Sequence, residues 1–131
     1  MRGWLAKAFG NRGERLAARF LRKQGYTILA RQYTNRFGEV DIVARDGESV
    51  VFVEVKTRRS DSAGHPAEAV TPAKQSQLTR VAMAYLKQQG LLEARSRFDV
   101  IAIMWPSDGA QPVVEHFQNA FAPIGKGQMF S

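Results

Sequence analysis

The sequence contains no cysteine, and it has no long apolar run. The absence of cysteine excludes disulfide bonds, thiolate zinc sites and cysteine nucleophiles, and it is compatible with a reducing compartment. No apolar run approaches the roughly 20 residues that a membrane-spanning helix needs. Lys7 interrupts the apolar residues near the N-terminus, so no signal-peptide core forms there. These absences predict a cytoplasmic protein with no membrane partner.

Acidic residues are few relative to basic ones. The chain has 19 Lys and Arg residues against 12 Asp and Glu residues, which gives a formal net charge of +7. Such an excess favours polyanionic partners, with nucleic acid ahead of an anionic membrane. The length of 131 residues corresponds to one domain. Its 44% hydrophobic and 24% charged residues are ordinary for a globular protein.

Hydrophobic periodicity divides the chain into helices and strands. Residues 1–10 are predicted as an arm, 11–121 as the domain and 122–131 as a flexible tail. The predicted elements are a helix over 11–24, strands over 26–34, 38–45 and 50–57, a loop over 58–66, a helix from 72 to 89 with Thr71 as N-cap, and strands over 98–105 and 112–117. The second helix connects the third and fourth strands, which should therefore lie parallel. The expected fold is an α/β/α sandwich around a mixed sheet.

The second and third predicted strands carry charged residues among apolar ones. Strand alternation places Glu54 and Lys56 on one face, with α-carbons roughly 7 Å apart. Isolated charges are costly to bury in a central strand, so these two are expected to engage a phosphate or a metal. In the second strand, alternation puts Val40 and Ile42 on one face and Asp41 on the other. The hairpin between the two strands then brings Asp41 beside Glu54 and Lys56.

This cluster has a chemical and a structural interpretation. Two adjacent carboxylates repel each other unless a cation or a proton intervenes, and a hard cation such as Mg²⁺ takes carboxylate oxygens while keeping water and phosphate ligands. Lys56 could orient a water, act as a base, or stabilise charge on the reacting phosphate. The alternative is a structural salt bridge between Lys56 and an acid on the sheet surface. His65 and His116 lack metal-ligand spacing and are interpreted as structural, and Asp99 is expected to pair with Arg97 or a helix residue.

Several other charged residues remain open between a binding role and an ordinary surface position. Four arginines recur at helical spacing on the face opposite the apolar stripe of the first helix: Arg12, Arg15, Arg19 and Arg22. They form either a solvated stripe or a phosphate-facing one. Arg58 and Arg59 add a basic edge after Lys56, and Lys74 lies on the inward edge of the second helix or on the surface. Glu14 lies at the edge of the apolar stripe, where it points either into a cleft or into water.

A set of short motifs together resembles the YraN family of small bacterial proteins over residues 10–121. The motifs are Gly13-Glu14, Ala17, Leu21, Gly25-Tyr26, Gly38-Glu39-Val40-Asp41, Val53-Glu54-Val55-Lys56-Thr57-Arg58, Pro66-x-Glu68-Ala69-Val70, Lys74 and Arg97-Phe98-Asp99-Val100. That family is similar to the restriction-endonuclease-like PD-(D/E)xK superfamily, and within it to the archaeal Holliday-junction resolvases. The resemblance implies a restriction-endonuclease-like α/β/α sandwich with a mixed sheet and metal-dependent phosphodiester hydrolysis.

The resemblance also assigns roles to particular residues. Glu14, Asp41 and Glu54 match the acidic metal-site positions, the Val55 carbonyl matches an additional ligand, and Lys56 matches the catalytic lysine. Val40 stands where the motif has proline. Resolvase-like relatives pair as dimers, so a homodimer is an open expectation, although no segment here marks its interface.

Three functions follow as hypotheses. The first is a Mg²⁺- or Mn²⁺-dependent endonuclease acting on DNA rather than RNA, with branched, Holliday-junction-like DNA among the substrates. The second is a catalytically silent nucleic-acid-binding module on the same fold. The third is a protein–protein adaptor whose basic surface meets an acidic partner. The same residues would serve the first two, so the sequence leaves that choice open.

Overall fold

A computed structural model describes the backbone of residues 2–59 and 70–124 and the side chains of residues 11–59 and 70–124. Within these ranges the elements are α1 (Arg2–Lys23), β1 (Thr27–Asn35), β2 (Gly38–Asp46), β3 (Ser49–Arg59), α2 (Pro72–Gln88), β4 (Ser96–Trp105) and β5 (Val113–Phe121). His65 and residues 60–66 of the predicted loop lie outside the described residues, as does the predicted tail beyond Ile124.

The five strands form one sheet in the order β1-β2-β3-β4-β5. β3 and β4 run parallel, from Val50 beside Ser96 to Arg59 beside Trp105. The other neighbouring pairs are antiparallel. α2 is the crossover between the two parallel strands, as a parallel pair requires. The predicted mixed sheet is therefore confirmed.

Each face of the sheet is covered by one helix. On the α1 face, buried side chains of the helix pack against the strands: Ala17, Leu21, Ile42, Val53 and Ile101. On the α2 face a second cluster does the same: Val40, Phe52, Leu78, Val81 and Phe98. The molecule is an α/β/α sandwich, consistent with the predicted restriction-endonuclease-like fold. Among the described residues, no helix is both long and apolar enough to cross a membrane.

The first helix is longer than predicted. It begins at Arg2 rather than at Asn11, so the residues predicted as an arm are helical from Arg2 onward. Leucine, alanine and lysine dominate residues 5–8 and are strong helix formers, and an internal Gly10 lowers helix stability by only about 1 kcal/mol. The helix ends at Lys23, one residue before its predicted end, because Gly25 has a φ of 94° and reverses the chain.

The third and fifth strands also run past their predicted ends. β3 continues to Arg59 because its pairing with β4 is unbroken through that residue, so Arg58 and Arg59 are strand residues and not loop residues. β5 continues to Phe121 beside β4.

One strand departs from simple alternation. Val40 packs in the α2 cluster and Ile42 in the α1 cluster, so the prediction that they share a face is wrong. The backbone is irregular at this point, since the pairing of β2 with β3 extends only as far as Ile42 beside Val53. On the other side of β2, Gln32 of β1 has a φ of 50°. Asp41 therefore lies where β2 separates from β3.

Candidate active site

Asp41 bridges the gap between the separating strands. The Val55 N–H of β3 donates to Asp41 Oδ2 at 2.7 Å. Since β2 no longer offers a backbone carbonyl beyond the Ile42–Val53 pair, this carboxylate takes the place of a ladder acceptor. The hydrogen bond fixes Asp41 at the junction of the two strands.

Glu54 is buried beside two lysines. Its side chain belongs to the α2 side, and the residue is 7% exposed. Glu54 Oε2 lies 3.7 Å from Lys56 Nζ and 3.9 Å from Lys74 Nζ. Lys56 reaches it along β3, as strand alternation predicts. Lys74 reaches it from the first turn of α2, so of its two predicted positions the inward one is confirmed.

The start of α2 is fixed by the predicted cap. Thr71 is the N-cap residue, and its Oγ1 accepts a hydrogen bond from the Lys74 N–H at 3.1 Å. Pro72 follows at the first helical position, where its missing N–H leaves nothing unpaired. These two residues set the helical turn that carries Lys74 to Glu54.

Burial and mutual repulsion shape the titration of the two carboxyl groups. Burial, followed by the charge of Asp41, raises the pKa of Glu54 from 4.5 to about 7, against the opposing charges of Lys74 and Lys56. Burial also raises the pKa of Asp41, although the hydrogen bonds from Val55 and Glu54 oppose it. Hydrogen bonding between the two carboxyl groups raises the pKa of Glu54 and opposes the rise for Asp41, as expected when a Glu54 carboxyl group donates to the Asp41 carboxylate.

The donor set fits a hard divalent cation. Asp41 and Val55 border a cleft of about 380 Å³, here called the carboxylate cleft, and a cation bound by Asp41 and Glu54 would relieve the repulsion between the two carboxylates. Mg²⁺ is commonly held by one or two carboxylates together with water and phosphate oxygens. Among residues 11–59 and 70–124, no three His, Asp or Glu side chains cluster closely enough to hold a metal. Asp41 and Glu54 are the pair of carboxylates whose mutual repulsion a cation would relieve.

Glu14 points inward but is already engaged. It is 4% exposed and lines the same cleft as Asp41, which confirms the inward of its two predicted orientations. Arg31 of β1 donates from Nε to Glu14 Oε1 at 2.7 Å. Sequence reasoning missed Arg31, because nothing in a strand pattern indicates that an exposed arginine reaches across to a helix.

The arginine stripe of α1 is exposed and borders two grooves. All four of its members face solvent: Arg12, Arg15, Arg19 and Arg22. Arg12 and Arg15 line a groove of about 650 Å³ that shares Glu14 with the carboxylate cleft. The same two arginines line a second groove of about 390 Å³ beside Trp105, and the Arg12 guanidinium lies 4.7 Å from the Trp105 ring. Arg59 is exposed and Arg58 half-buried at the end of β3.

A second buried acid lies elsewhere and is structural. Asp99 is 0% exposed, and burial alone would raise its pKa. Hydrogen bonds from His116 and Arg97 instead hold the pKa of Asp99 below its ordinary value. His116 Nε2 lies 2.8 Å from Asp99 Oδ2, and Arg97 Nε lies 3.0 Å from Asp99 Oδ1. The expected Asp99–Arg97 pair is confirmed, and His116 has the structural position predicted for it.

Comparisons with known proteins place the chain in a family. The model of the uncharacterised protein family UPF0102 matches residues 13–103. UPF0102 protein GSU0650 of Geobacter sulfurreducens is 53% identical over 115 residues, which cover 88% of this chain and 89% of that protein. A UPF0102 protein of Geotalea uraniireducens is 46% identical over 115 residues, covering 88% and 90% of the two chains. UPF0102 protein RB9115 of Rhodopirellula baltica is 44% identical over 119 residues, covering 88% and 71%. The chain therefore belongs to UPF0102, the YraN family that its motifs resemble.

Proposed function

We propose that this protein is an endonuclease that hydrolyses phosphodiester bonds in DNA with a bound Mg²⁺ or Mn²⁺. One observation carries the proposal: Asp41 lies where β2 separates from β3, close enough to Glu54 for the two carboxyl groups to repel each other, and two lysine ammonium groups lie within 4 Å of Glu54. Such a pair of carboxylates favours a divalent cation between them. The neighbouring ammonium groups favour a phosphate in the same place.

The residues of the chain would divide the work. Asp41 and Glu54 would hold the cation, which when bound neutralises the scissile phosphate and lowers the pKa of a water ligand. The Val55 N–H holds Asp41 in position, and the Val55 carbonyl is the further ligand implied by the superfamily resemblance. Lys56 would stabilise the charge that develops on the phosphate oxygens.

The exposed arginines of α1 would bind the phosphates that flank the cleaved bond. Arg12 and Arg15 border the groove next to the cleft, and Arg58 and Arg59 continue from Lys56 along β3. Contacts of this kind set the register of a substrate and carry no sequence information. Within this function, the proposed substrate is branched DNA. Cleavage of a symmetric junction would require two copies of the chain.

A cleavage assay tests the proposal. Purified protein is incubated with linear, flapped and four-way-junction DNA in Mg²⁺, Mn²⁺ or EDTA. We expect metal-dependent product from the wild type and a loss of about 10²-fold or more for Lys56→Met, because a charge-stabilising group is removed. Glu54→Gln should lose activity as well, since a carboxylate ligand becomes an amide.

The matched control is Glu48→Gln, which removes one carboxylate at the exposed β2–β3 turn. It should cleave like the wild type. Equal cleavage by Glu54→Gln and the wild type would point to a contaminating nuclease and contradict the proposal.

A catalytically silent nucleic-acid-binding module is the second candidate. Its specific support is the 2.7 Å pair between Arg31 and Glu14, which engages the third acid of the superfamily pattern. This candidate predicts DNA binding with no product under any metal. It also predicts that Lys56→Ala leaves DNA affinity nearly unchanged. Retained binding without cleavage would favour it over the endonuclease.

A further inference from the structure

A second basic surface lies on the α2 face, away from the arginines of α1. We propose that it binds the phosphate backbone of the DNA strand that enters the carboxylate cleft, an inference that rests on the proposed function. The surface is a groove of about 560 Å³ between the β1–β2 turn and α2, here called the turn–α2 groove. It is lined by Arg36, Phe37, Ala73, Lys74, Gln77 and Arg80.

The β1–β2 turn is held firmly against α2. Asn35 Nδ2 donates to the carbonyl oxygen of Val81 in α2 at 3.2 Å. The Phe37 N–H donates to Asn35 Oδ1 at 3.0 Å, which closes the turn. The Phe37 ring packs against the buried cluster of the α2 face. The backbone that carries Arg36, the exposed residue of this turn, is therefore fixed relative to α2.

Gly38 connects the turn to the candidate active site. Its φ of 142° favours glycine, and a Cβ added there would lie 2.6 Å from Nε2 of the Gln77 side chain, so residue 38 packs directly against that side chain. Gln77 Oε1 in turn accepts from Lys74 Nζ at 3.3 Å. Lys74 Nζ lies 3.9 Å from Glu54 Oε2. The turn–α2 groove is thus linked to the carboxylate pair by side-chain contacts.

The chemistry of the groove suits phosphate. Among the described residues its lining has three basic side chains and no acidic one. The Arg36 guanidinium lies 4.7 Å from the centre of the Phe37 ring, which restricts its orientation. A guanidinium presents a planar fork of donors that matches phosphate oxygens. Arg80, one turn after Gln77 on α2, is exposed and offers a second fork.

The position of the groove favours nucleic acid over other polyanions. Lys74 belongs both to the groove and to the surroundings of Glu54. A polymer with regularly spaced phosphates can occupy both places at once, whereas an acidic peptide or a lipid surface has no reason to extend into the carboxylate cleft. Arg12 and Arg15 line a groove that adjoins the carboxylate cleft and shares Glu14 with it, so the backbone would be held on both sides of the bond to be cleaved.

DNA binding in EDTA tests the groove without requiring cleavage. The affinity of a short fluorescein-labelled duplex is followed by anisotropy across a salt titration for wild type and Arg36→Ala/Arg80→Ala. We expect roughly tenfold weaker binding, and a slope of log affinity against log salt that is smaller by about 1 for each arginine removed. The control is Lys87→Ala/Arg95→Ala, which removes the same charge from exposed sites at the far end of α2 and before β4. Circular dichroism melts establish that both variants fold.

The outcomes separate this inference from the nuclease proposal. A selective loss in Arg36→Ala/Arg80→Ala supports the groove whether or not the wild type cleaves DNA. Equal losses in the two double variants would reflect net charge alone and overturn it, as would a wild type that binds no DNA. The inference also fails if the arginine pair matters equally for polyglutamate or for phosphatidylcholine vesicles containing phosphatidylserine.

Discussion

Glu54 is a buried carboxyl group whose affinity for its proton differs from that of a glutamate in water. Burial and the adjacent Asp41 raise its pKa from 4.5 to about 7, so the folded protein binds this proton more tightly than the unfolded chain does. Stability from this group is therefore fully present below pH 4.5. It falls as the pH rises, and levels off above about pH 7. Lys74 and Lys56 reduce the shift without cancelling it.

Replacing Glu54 should remove this pH dependence. In EDTA, the wild type should lose on the order of 3 kcal/mol between pH 5 and pH 8 from this group, at about 1.4 kcal/mol per unit of pKa shift. Glu54→Gln has no proton to release, so its free energy of unfolding should change less over the same range and exceed that of the wild type at pH 8. Urea unfolding at several pH values measures both quantities.

The exposed Glu48 supplies the comparison for this experiment. Glu48→Gln should keep the pH dependence of the wild type, because it removes one carboxylate at the exposed β2–β3 turn and leaves Glu54 and its neighbours unchanged. Parallel curves for Glu54→Gln and the wild type would show that Glu54 ionises normally in the folded protein.

The grouping of Asp41, Glu54 and Lys56 in the candidate site could be predicted from sequence. The residues that contact the site from other elements could not. Strand alternation places Glu54 and Lys56 together, and a hairpin brings Asp41 to them. The residues found only in the structure act across long chain separations. Arg31 reaches Glu14 from another element, and Arg36 joins α2 through the β1–β2 turn. Such contacts depend on how helices pack on the sheet, which a local pattern does not contain.

At the scale of elements, α1 lies close to β3 because Gly13 of the helix has no side chain between them. A Cβ added at Gly13 would lie 2.5 Å from Thr57 Cγ2. The glycine therefore permits a close approach of helix and strand at the rim of the carboxylate cleft, which Thr57 also lines. Its lower helix propensity, about 1 kcal/mol relative to alanine, is the cost of that approach.

Gly13→Ala should destabilise the protein even though alanine is the better helix former. We expect a net loss of about 1 kcal/mol or more, since overpacking of 1–3 kcal/mol exceeds the propensity gain. Adding Thr57→Ser removes the Cγ2 methyl group that the new Cβ at residue 13 would contact. The double variant should regain most of the loss, and urea unfolding of both single variants and the double variant gives the coupling energy.

Independent, additive effects of the two substitutions would contradict a steric contact between them. Thr57→Ser alone measures the value of the methyl group in the original packing.

The elements themselves were largely predictable, and their irregular points were not. Periodicity and capping residues locate α2 within one residue, because Thr71, Pro72 and Gly90 mark its ends. The break in alternation at β2 arises where β2 leaves β3, and only the pairing register reveals it. The early start of α1 shows that helix-forming residues beyond a glycine can extend a helix that periodicity alone would end.

At the scale of the whole molecule, a single sheet separates two apolar clusters. Leu86 belongs to the α2 cluster and Ile101 to the α1 cluster, and the two clusters share no buried residue. The order of helices and strands predicts this sandwich, since a crossover helix must cover one face and the first helix is left for the other.

Substitutions in the two clusters should add. Leu86→Ala should cost about 2–5 kcal/mol and Ile101→Val about 0.5–1.5 kcal/mol. The double variant should equal their sum within about 0.5 kcal/mol, because side chains on opposite faces have no common partner to rearrange. Urea unfolding followed by both fluorescence and circular dichroism measures this. A coupling energy well above that limit would mean that the sheet transmits repacking from one face to the other.

The hydrogen bond between Asp41 and the Val55 N–H has a consequence for how relatives of this protein diverge. If the proposed nuclease function holds, a lineage that lost it would still be selected to keep an acceptor at position 41, since without one a backbone donor loses its partner where two strands part. Glu54 has no comparable structural role, because its burial destabilises the folded protein once the carboxyl group ionises. After a loss of function, substitutions should therefore replace Glu54 before they replace Asp41. On the proposed function, a relative with aspartate or asparagine at position 41 and an apolar residue at position 54 would descend from an active nuclease.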